Sequence, residues 1–165
     1  MKEGLEAIIH AARQAIQEGD EDFMVLQVDL KNAFNMADRE AAFHVVEDVF
    51  PDIIEGVLTC YNCEAKLIFG KTIILSQVGF HQGDPLASFL FSLTLQPIIA
   101  KIQERVPGLK LNEWYLGDGS LGGKKEQLQE VVDIILQKGP ARGLFMSTAR
   151  TVAPETSVKH AIKPP

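Results

Sequence analysis

Phe23-Met24-Val25-Leu26-Gln27-Val28-Asp29 is a short apolar run that ends on a carboxylate. Asp20, Glu21 and Asp22 precede it. An apolar run this short, bounded by charge at both ends, predicts a buried strand. A carboxylate at the end of such a strand is costly unless it is paired, hydrogen-bonded or on a metal. Asp29 is therefore a candidate functional residue.

The elements around this strand read outward from it. Leu5, Ile8, Ile9, Ala12 and Ile16 follow helical spacing, and Gly19 stops that helix. After the strand, Asp38 is an N-cap for a helix that turns Ala42, Val45, Val46 and Val49 inward. Pro51 begins another, to about Cys60. Residues 65–69 and 72–77 predict two strands joined at Gly70-Lys71, a hairpin signal. The loop Gly79–Asp84 leads into a long apolar helix from Pro85 to about Arg105, in which Pro97 predicts a kink. Leu111–Leu116 predicts a strand that enters the glycine-rich segment Gly117–Gly123. Residues 124–138 are amphipathic, with Leu128, Val131, Val132 and Ile135 on one face, and Gly139-Pro140 ends that helix. Leu144–Met146 predicts a last short strand, and the tail beyond Thr151 has no period.

This order is not a regular βαβ series. It predicts an α+β fold, a small antiparallel sheet with helices packed on one face and the other face free to carry a site.

The chain has 165 residues, enough for one core without disulfides. Hydrophobic residues are 46% and charged residues 23%, which excludes a disordered chain. The net charge is −6, so nucleic acid binding would rest on a local site rather than on a basic surface. The longest uncharged stretch, Pro85–Ala100, is shorter than the ~20 apolar residues of a membrane span. Glu3, Glu6, His10 and Arg13 interrupt the N-terminus, which does not read as a signal peptide. Two cysteines make no disulfide framework. The expected place is intracellular, in nucleus or cytoplasm, with no membrane partner.

Asp118 stands at the end of the strand Trp114-Tyr115-Leu116, in a glycine turn. Two strand-end carboxylates at one sheet edge suit Mg²⁺, with substrate phosphates completing its shell. The plainer alternative has Asp29 capping a turn and Asp118 in a hairpin loop. In Gly79-Phe80-His81-Gln82-Gly83-Asp84-Pro85-Leu86, Gly83 lets backbone approach a ligand, and Gln82 offers a donor and an acceptor to a base or sugar. The same segment also reads as a helix entry, with Asp84 as N-cap.

These residues carry a resemblance. Val28-Asp29-Leu30-Lys31-Asn32-Ala33-Phe34-Asn35, then Arg39, resembles motif A of reverse transcriptases. Gln82-Gly83-Asp84-Pro85-Leu86 with Leu90-Phe91-Ser92-Leu93 resembles motif B, and Trp114 to Gly123 resembles motif C. Gly143-Leu144-Phe145-Met146 with Arg150 resembles motif D. The likeness is closest to non-LTR retrotransposon enzymes, and it covers about residues 4–152 with the motifs in order.

The resemblance implies a polymerase palm-like (ferredoxin- or RRM-like) fold over residues 1–152, followed by an irregular tail, 153–165. Fingers would be mostly absent and the thumb entirely so. The implied activity is RNA-directed DNA polymerisation, with primer–template nucleic acid and deoxynucleoside triphosphate as partners and two Mg²⁺ ions. Other polymerase segments would complete it. Asp29 and Asp118 would be catalytic and metal-bound, with the Leu30 carbonyl a further ligand. Phe34 would exclude a ribose 2′-OH. Lys31 and Asn32 would lie near the triphosphate, Gln82 and Gly83 against nucleotide and template, and Arg150 near the leaving pyrophosphate. The family carries two aspartates in motif C, the first a metal ligand. Gly117 stands there, which implies an impaired or inactive enzyme, a pseudoenzyme. The alternative is a non-catalytic, retroelement-derived interaction or nucleic-acid-binding domain.

Three other motifs carry less. Gly117–Gly122 fits the spacing G-x-G-x-x-G, but no parallel strand ending in an acid follows it. Gly70-Lys71-Thr72 lacks the first glycine of a phosphate loop. Cys60 and Cys63 have no second pair to complete a zinc site. His10, His44 and His81 read as ordinary helix or loop residues.

Overall fold

A computed structural model describes residues 2–63, 65–147 and 151. Helix α1 (Lys2–Gln17) precedes strand β1 (Met24–Asp29). A single-turn helix, α2 (Ala33–Met36), leads into α3 (Arg39–Val49). A 3₁₀ turn, Pro51–Ile53, opens onto α4 (Ile54–Tyr61). The hairpin β2 (Ala65–Phe69) and β3 (Thr72–Ser76) follows, then α5 (Pro85–Arg105). Strands β4 (Leu111–Tyr115) and β5 (Asp118–Gly123), then α6 (Lys125–Lys138), complete the fold.

The main sheet is antiparallel with order β1-β5-β4, and β2-β3 stands apart as its own ribbon. Along β1 and just past it, Leu26, Val28 and Leu30 are buried while Gln27 is exposed. That alternation puts Asp29 on the face opposite the core. The core centres on α5, whose Leu90, Phe91, Ile98 and Ile102 are fully buried with Val46 of α3, Leu121 of β5, and Val131 and Ile135 of α6. By length and apolarity alone α5 could cross a membrane, which corrects the expectation from its uncharged stretch. Here it is the core helix. It runs unbroken through Pro97.

The sequence reading missed the central strand. Residues 117–123 were expected as a glycine turn, yet only Leu116-Gly117 turns, and Asp118–Gly123 pairs with both neighbours. Glycine has low strand propensity, but large side chains cover these positions. A Cβ at Gly119 would lie 2.7 Å from the Trp114 ring, and one at Gly122 would lie 2.6 Å from the Phe23 ring. Two smaller corrections follow, and the rejection of the dinucleotide motif holds. Val49 is 57% exposed rather than inward, because Arg39, Ala42 and Val46 form the buried stripe of α3. Residues 144–146 contribute one bridge, Leu30 to Met146, rather than a strand. The dinucleotide motif lies in an antiparallel hairpin, and α6 begins only after it at Lys125.

The ribbon β2–β3 is the least protected part of the described fold. Ile68 and Phe69 are 79% and 78% exposed, and Ile73, Ile74 and Leu75 are exposed too. Apolar residues on both faces of a two-stranded ribbon contribute little to the core. Ile68→Thr should therefore change stability by no more than about 0.5 kcal/mol. Leu90→Ala, fully buried, should cost about 2–5 kcal/mol. Urea denaturation of the two variants checks the contrast.

Candidate active site

Asp29 and Asp118 are directly opposed partners in the β1–β5 ladder. Cα atoms of such partners lie about 4.5–5.5 Å apart, and their side chains leave the same face of the sheet. The register places the two residues side by side at one end of the β1–β5 ladder, where both were expected. Asp118 is exposed and Asp29 half-buried. Both are acids, so their opposition is unfavourable without a cation or a hydrogen-bond donor.

The turn that delivers Asp118 is tight. Tyr115 pairs with Asp118 across Leu116-Gly117, and Leu116 takes φ 54°. The Gly117 carbonyl accepts from the Leu30 N–H at 3.1 Å. A Cβ on Gly117 would meet the Ala33 Cβ at 3.1 Å, the Leu30 Cβ at 3.8 Å and the Phe91 ring at 3.9 Å. Gly117 thus lies between the segment after β1 and the core helix. An aspartate there fits only if Ala33 yields by a few tenths of an ångström.

The segment after β1 is held from both sides. Lys31 N–H donates to the Phe145 carbonyl at 2.7 Å, and Ser147 N–H donates to the Asp29 carbonyl at 2.8 Å. The residues matching motif D therefore run beside those matching motif A. Phe34 stacks on Phe91 with ring centroids 4.7 Å apart and planes 14° apart. Its half-buried ring is fixed by α5. Asn32, at φ 46°, and Lys31 are exposed at the start of α2.

The loop before α5 is rooted on the same segment. Gly79 N–H donates to the Ala37 carbonyl at 2.9 Å, and Phe80 N–H to the Phe34 carbonyl at 2.7 Å. Gln82 and Gly83 are exposed at its tip. Gly83 has φ 92°, and nothing lies within 4 Å of where its Cβ would be. Open space and a left-handed backbone suit close approach of a ligand there. Arg150 lies outside the described residues.

The cysteines at 60 and 63 are free and exposed. No group of three or more His, Cys, Asp or Glu side chains that could hold a metal occurs among the described residues. Two opposed carboxylates fit one Mg²⁺ that keeps much of its water. They do not fit a pair of ions, each of which needs a clamped ligand set.

Sequence reasoning named Arg39 and Asp84 within the motif resemblances and Asp84 as a cap, without a structural role for Arg39, and gave Tyr61 none. Arg39 is 7% exposed and sits in the buried stripe of α3. A charged residue at a core position of a helical repeat was the available signal. Burial lowers its pKa below the ordinary arginine value. Tyr61 donates its O–H to the Asp84 carboxylate. Burial first, and that bond second, push the Tyr61 phenol up to about 12. The bond in turn holds the Asp84 carboxyl below its ordinary value, helped by the Leu86 N–H.

No protein-family model and no curated protein matches this sequence. Solved structures do. The apo telomerase of Candida tropicalis superposes with TM-score 0.71 at 13% identity, over 93% of this chain and 32% of that one. The telomerase of Candida albicans, solved with a fragment of telomeric RNA, gives 0.68 at 12% identity, over 92% and 31%. The fold is reverse-transcriptase-like. The α+β, palm-like architecture expected from the motif order is the one observed. The chain spans about a third of the length of these telomerases.

The Tyr61–Asp84 pair makes stability pH-dependent at both ends. Asp84 has a lowered folded pKa, so its contribution is present above the ordinary carboxylate value and fades as pH falls through the lowered one. Tyr61 has a raised folded pKa, so its contribution is full below pH 10 and fades as pH rises through about 12. Urea midpoints of the parent and Tyr61→Phe should differ at neutral pH and converge at both extremes.

Proposed function

We propose that this chain is a reverse-transcriptase palm of the non-LTR retrotransposon type, whose ancestral reaction extends a primer 3′-OH with deoxynucleotides on an RNA template. One observation carries the reading. Three separate segments, around Gln82, Asp118 and Phe145, converge on the stretch 29–37 that begins with Asp29, through register, ring stacking and backbone hydrogen bonds. In this reading Asp29 and Asp118 are the acidic pair, and the Leu30 carbonyl assists them toward Mg²⁺. Phe34, fixed on Phe91, bounds the sugar of the incoming nucleotide. Lys31 and Asn32 lie toward its triphosphate. Gln82 and Gly83 meet base and template, and Arg150 belongs near the departing pyrophosphate. Arg150 keeps a positive charge where the family has lysine, but guanidinium is a poor proton donor.

Gly117 supports a further step, that the chain is a pseudoenzyme. Phosphoryl transfer depends on charge neutralisation at the transferred group, and the ligand set here is one carboxylate short. No step that needs a second metal is assigned to this chain. The place of work proposed for it is inside the cell, in nucleus or cytoplasm. Missing carboxylate and exposed ribbon together also favour a second reading, a retroelement-derived domain that binds nucleic acid or protein without catalysis.

Primer extension separates the readings. The 165-residue chain should give no product above a no-enzyme control with Mg²⁺ or Mn²⁺. Gly117→Asp alone should not restore it, because positioning of primer and template supplies up to ~7–11 kcal/mol of such barriers. The same palm grafted into intact fingers and thumb of a related enzyme should gain activity with Gly117→Asp. Product from the unmodified chain would overturn the inactive reading.

The metal site has its own test. Gly117→Asp adds a third acid and a tight Cβ contact, and should lower the thermal midpoint by about 2–6 °C. Mg²⁺ should recover part of that loss, by binding the folded state only. A midpoint indifferent to Mg²⁺ in the variant would mean that these carboxylates share no ion. Calorimetry on the parent should find Mg²⁺ binding weak.

A further inference from the structure

The tip Gln82-Gly83 is the apex of a turn. His81 carbonyl accepts from the Asp84 N–H at 3.2 Å, and Gly83, third of the four residues, has φ 92°. A turn with positive φ at that position needs glycine there. Such a turn on an exposed loop is ordinarily mobile. This one is gripped at both ends.

At the incoming end, Arg39 faces the backbone of residues 76–79. Its Nε donates to the Gly79 carbonyl at 2.7 Å, and Nη1 donates to the Ser76 carbonyl at 3.0 Å and to the Tyr61 carbonyl at 3.3 Å. Nη2 donates to Ser76 Oγ at 2.9 Å and to the Val78 carbonyl at 3.4 Å. A planar guanidinium with a fixed fork of donors can hold several carbonyls in one geometry, which a lysine cannot. At the outgoing end, Asp84 accepts from Leu86 N–H at 2.9 Å through one oxygen and from the Tyr61 hydroxyl through the other.

Tyr61 joins the two ends. The Arg39 guanidinium lies over its ring, 5.5 Å from the centroid. The His81 ring stacks on it at 5.7 Å, and Phe80 meets it edge-on at 5.4 Å. Phe80 is also the residue whose N–H is bonded to the Phe34 carbonyl. A continuous chain of contacts therefore runs from α3 and α4 through the loop to the segment that carries Phe34.

We infer that Arg39, Tyr61 and Asp84 are positioning residues that fix the Gln82-Gly83 turn against the Phe34 segment, and so set the geometry with which the tip meets a deoxynucleoside triphosphate. The nucleotide part rests on the palm reading above. The clamp itself does not.

Tyr61→Phe keeps the ring and every stacking contact and removes only the hydroxyl. The Tyr61 hydroxyl donates to an ionised carboxylate, one of the stronger classes of hydrogen bond. In the 165-residue chain, the hydrogen-bonded amides of Phe80 and Asp84, which flank the tip, should exchange about tenfold faster in this variant. Amides of Leu90, Leu95 and Val28 should keep the parent rate. Asp84→Asn keeps one carbonyl oxygen for the Leu86 N–H and presents its amide N–H to the Tyr61 hydroxyl oxygen, which can accept, and should keep much of the protection that Asp84→Ala loses. Unchanged exchange at Phe80 and Asp84 in Tyr61→Phe overturns the clamp, and so does Asp84→Asn behaving no better than Asp84→Ala. Titration with dGTP and Mg²⁺ reads the second part. If the parent binds dGTP, Tyr61→Phe should weaken it about threefold or more, with Asp84→Asn near the parent; equal affinities refute nucleotide positioning. If the parent binds no dGTP, the palm reading's nucleotide site fails and positioning toward a nucleotide falls with it, while amide exchange still decides the clamp.

Discussion

The placement of Asp29 beside Asp118 depends on one pairing, that of β1 with β5. β5 holds the centre of the sheet with glycine at three of its six positions. Such a strand has little side chain of its own to specify register. The specification comes from its neighbours. Trp114 occupies the space above Gly119, Phe23 and Leu111 crowd Gly122, and Leu109 crowds Gly123. A slip by one residue would drive these bulky groups into Ser120 or Leu121 and turn Leu121 out of the core. The β4–β5 register seats Trp114 on Gly119, and the β1–β5 register sets Asp29 opposite Asp118. Packing on both faces of β5 thus holds the strand that carries Asp118.

Phe91 carries this constraint across to the helical layer. Its ring stacks on Phe34 and also lies next to the position a Gly117 side chain would take. It is fully buried among the residues of α5. The turn residue before Asp118, the aromatic of the segment after β1 and the core helix thus meet at Phe91. This coupling of core to sheet edge is why residues widely separated in sequence lie together.

Much of this was legible in the residues. The apolar run before Asp29, the cap at Asp38 and the Asp84-Pro85 start of α5 each have a local cause, and each appears where that cause puts it. Asp38 accepts from Ala41 N–H at 2.7 Å as a cap should. The central strand was not legible, because glycine signals a turn locally and becomes a strand only under Trp114 and Phe23. The role of Arg39 was hidden for a similar reason. Its partners are carbonyls of a loop some forty residues away, and no local pattern announces a long-range bond to backbone. Tyr61 lay at the end of a helix, beside two cysteines that drew attention for their spacing alone. Buried polar networks belong to tertiary structure.

Gly117 can be weighed in the same terms. An acid at this turn would stand near Asp29 and Asp118, with its Cβ pressed on Ala33. Three carboxylates at one sheet edge repel one another unless cations hold them, so a catalytic set of this kind lowers stability in the absence of metal. Glycine removes both the charge and the close contact. It also leaves the backbone bond from Leu30 to residue 117 intact, so the turn keeps its place. Under the proposed palm reading, glycine in place of an acid relieves the fold while removing a ligand, the usual direction of a stability–activity trade-off. The frame around Asp29, held by Trp114, Phe91 and Arg39, does not depend on that acid.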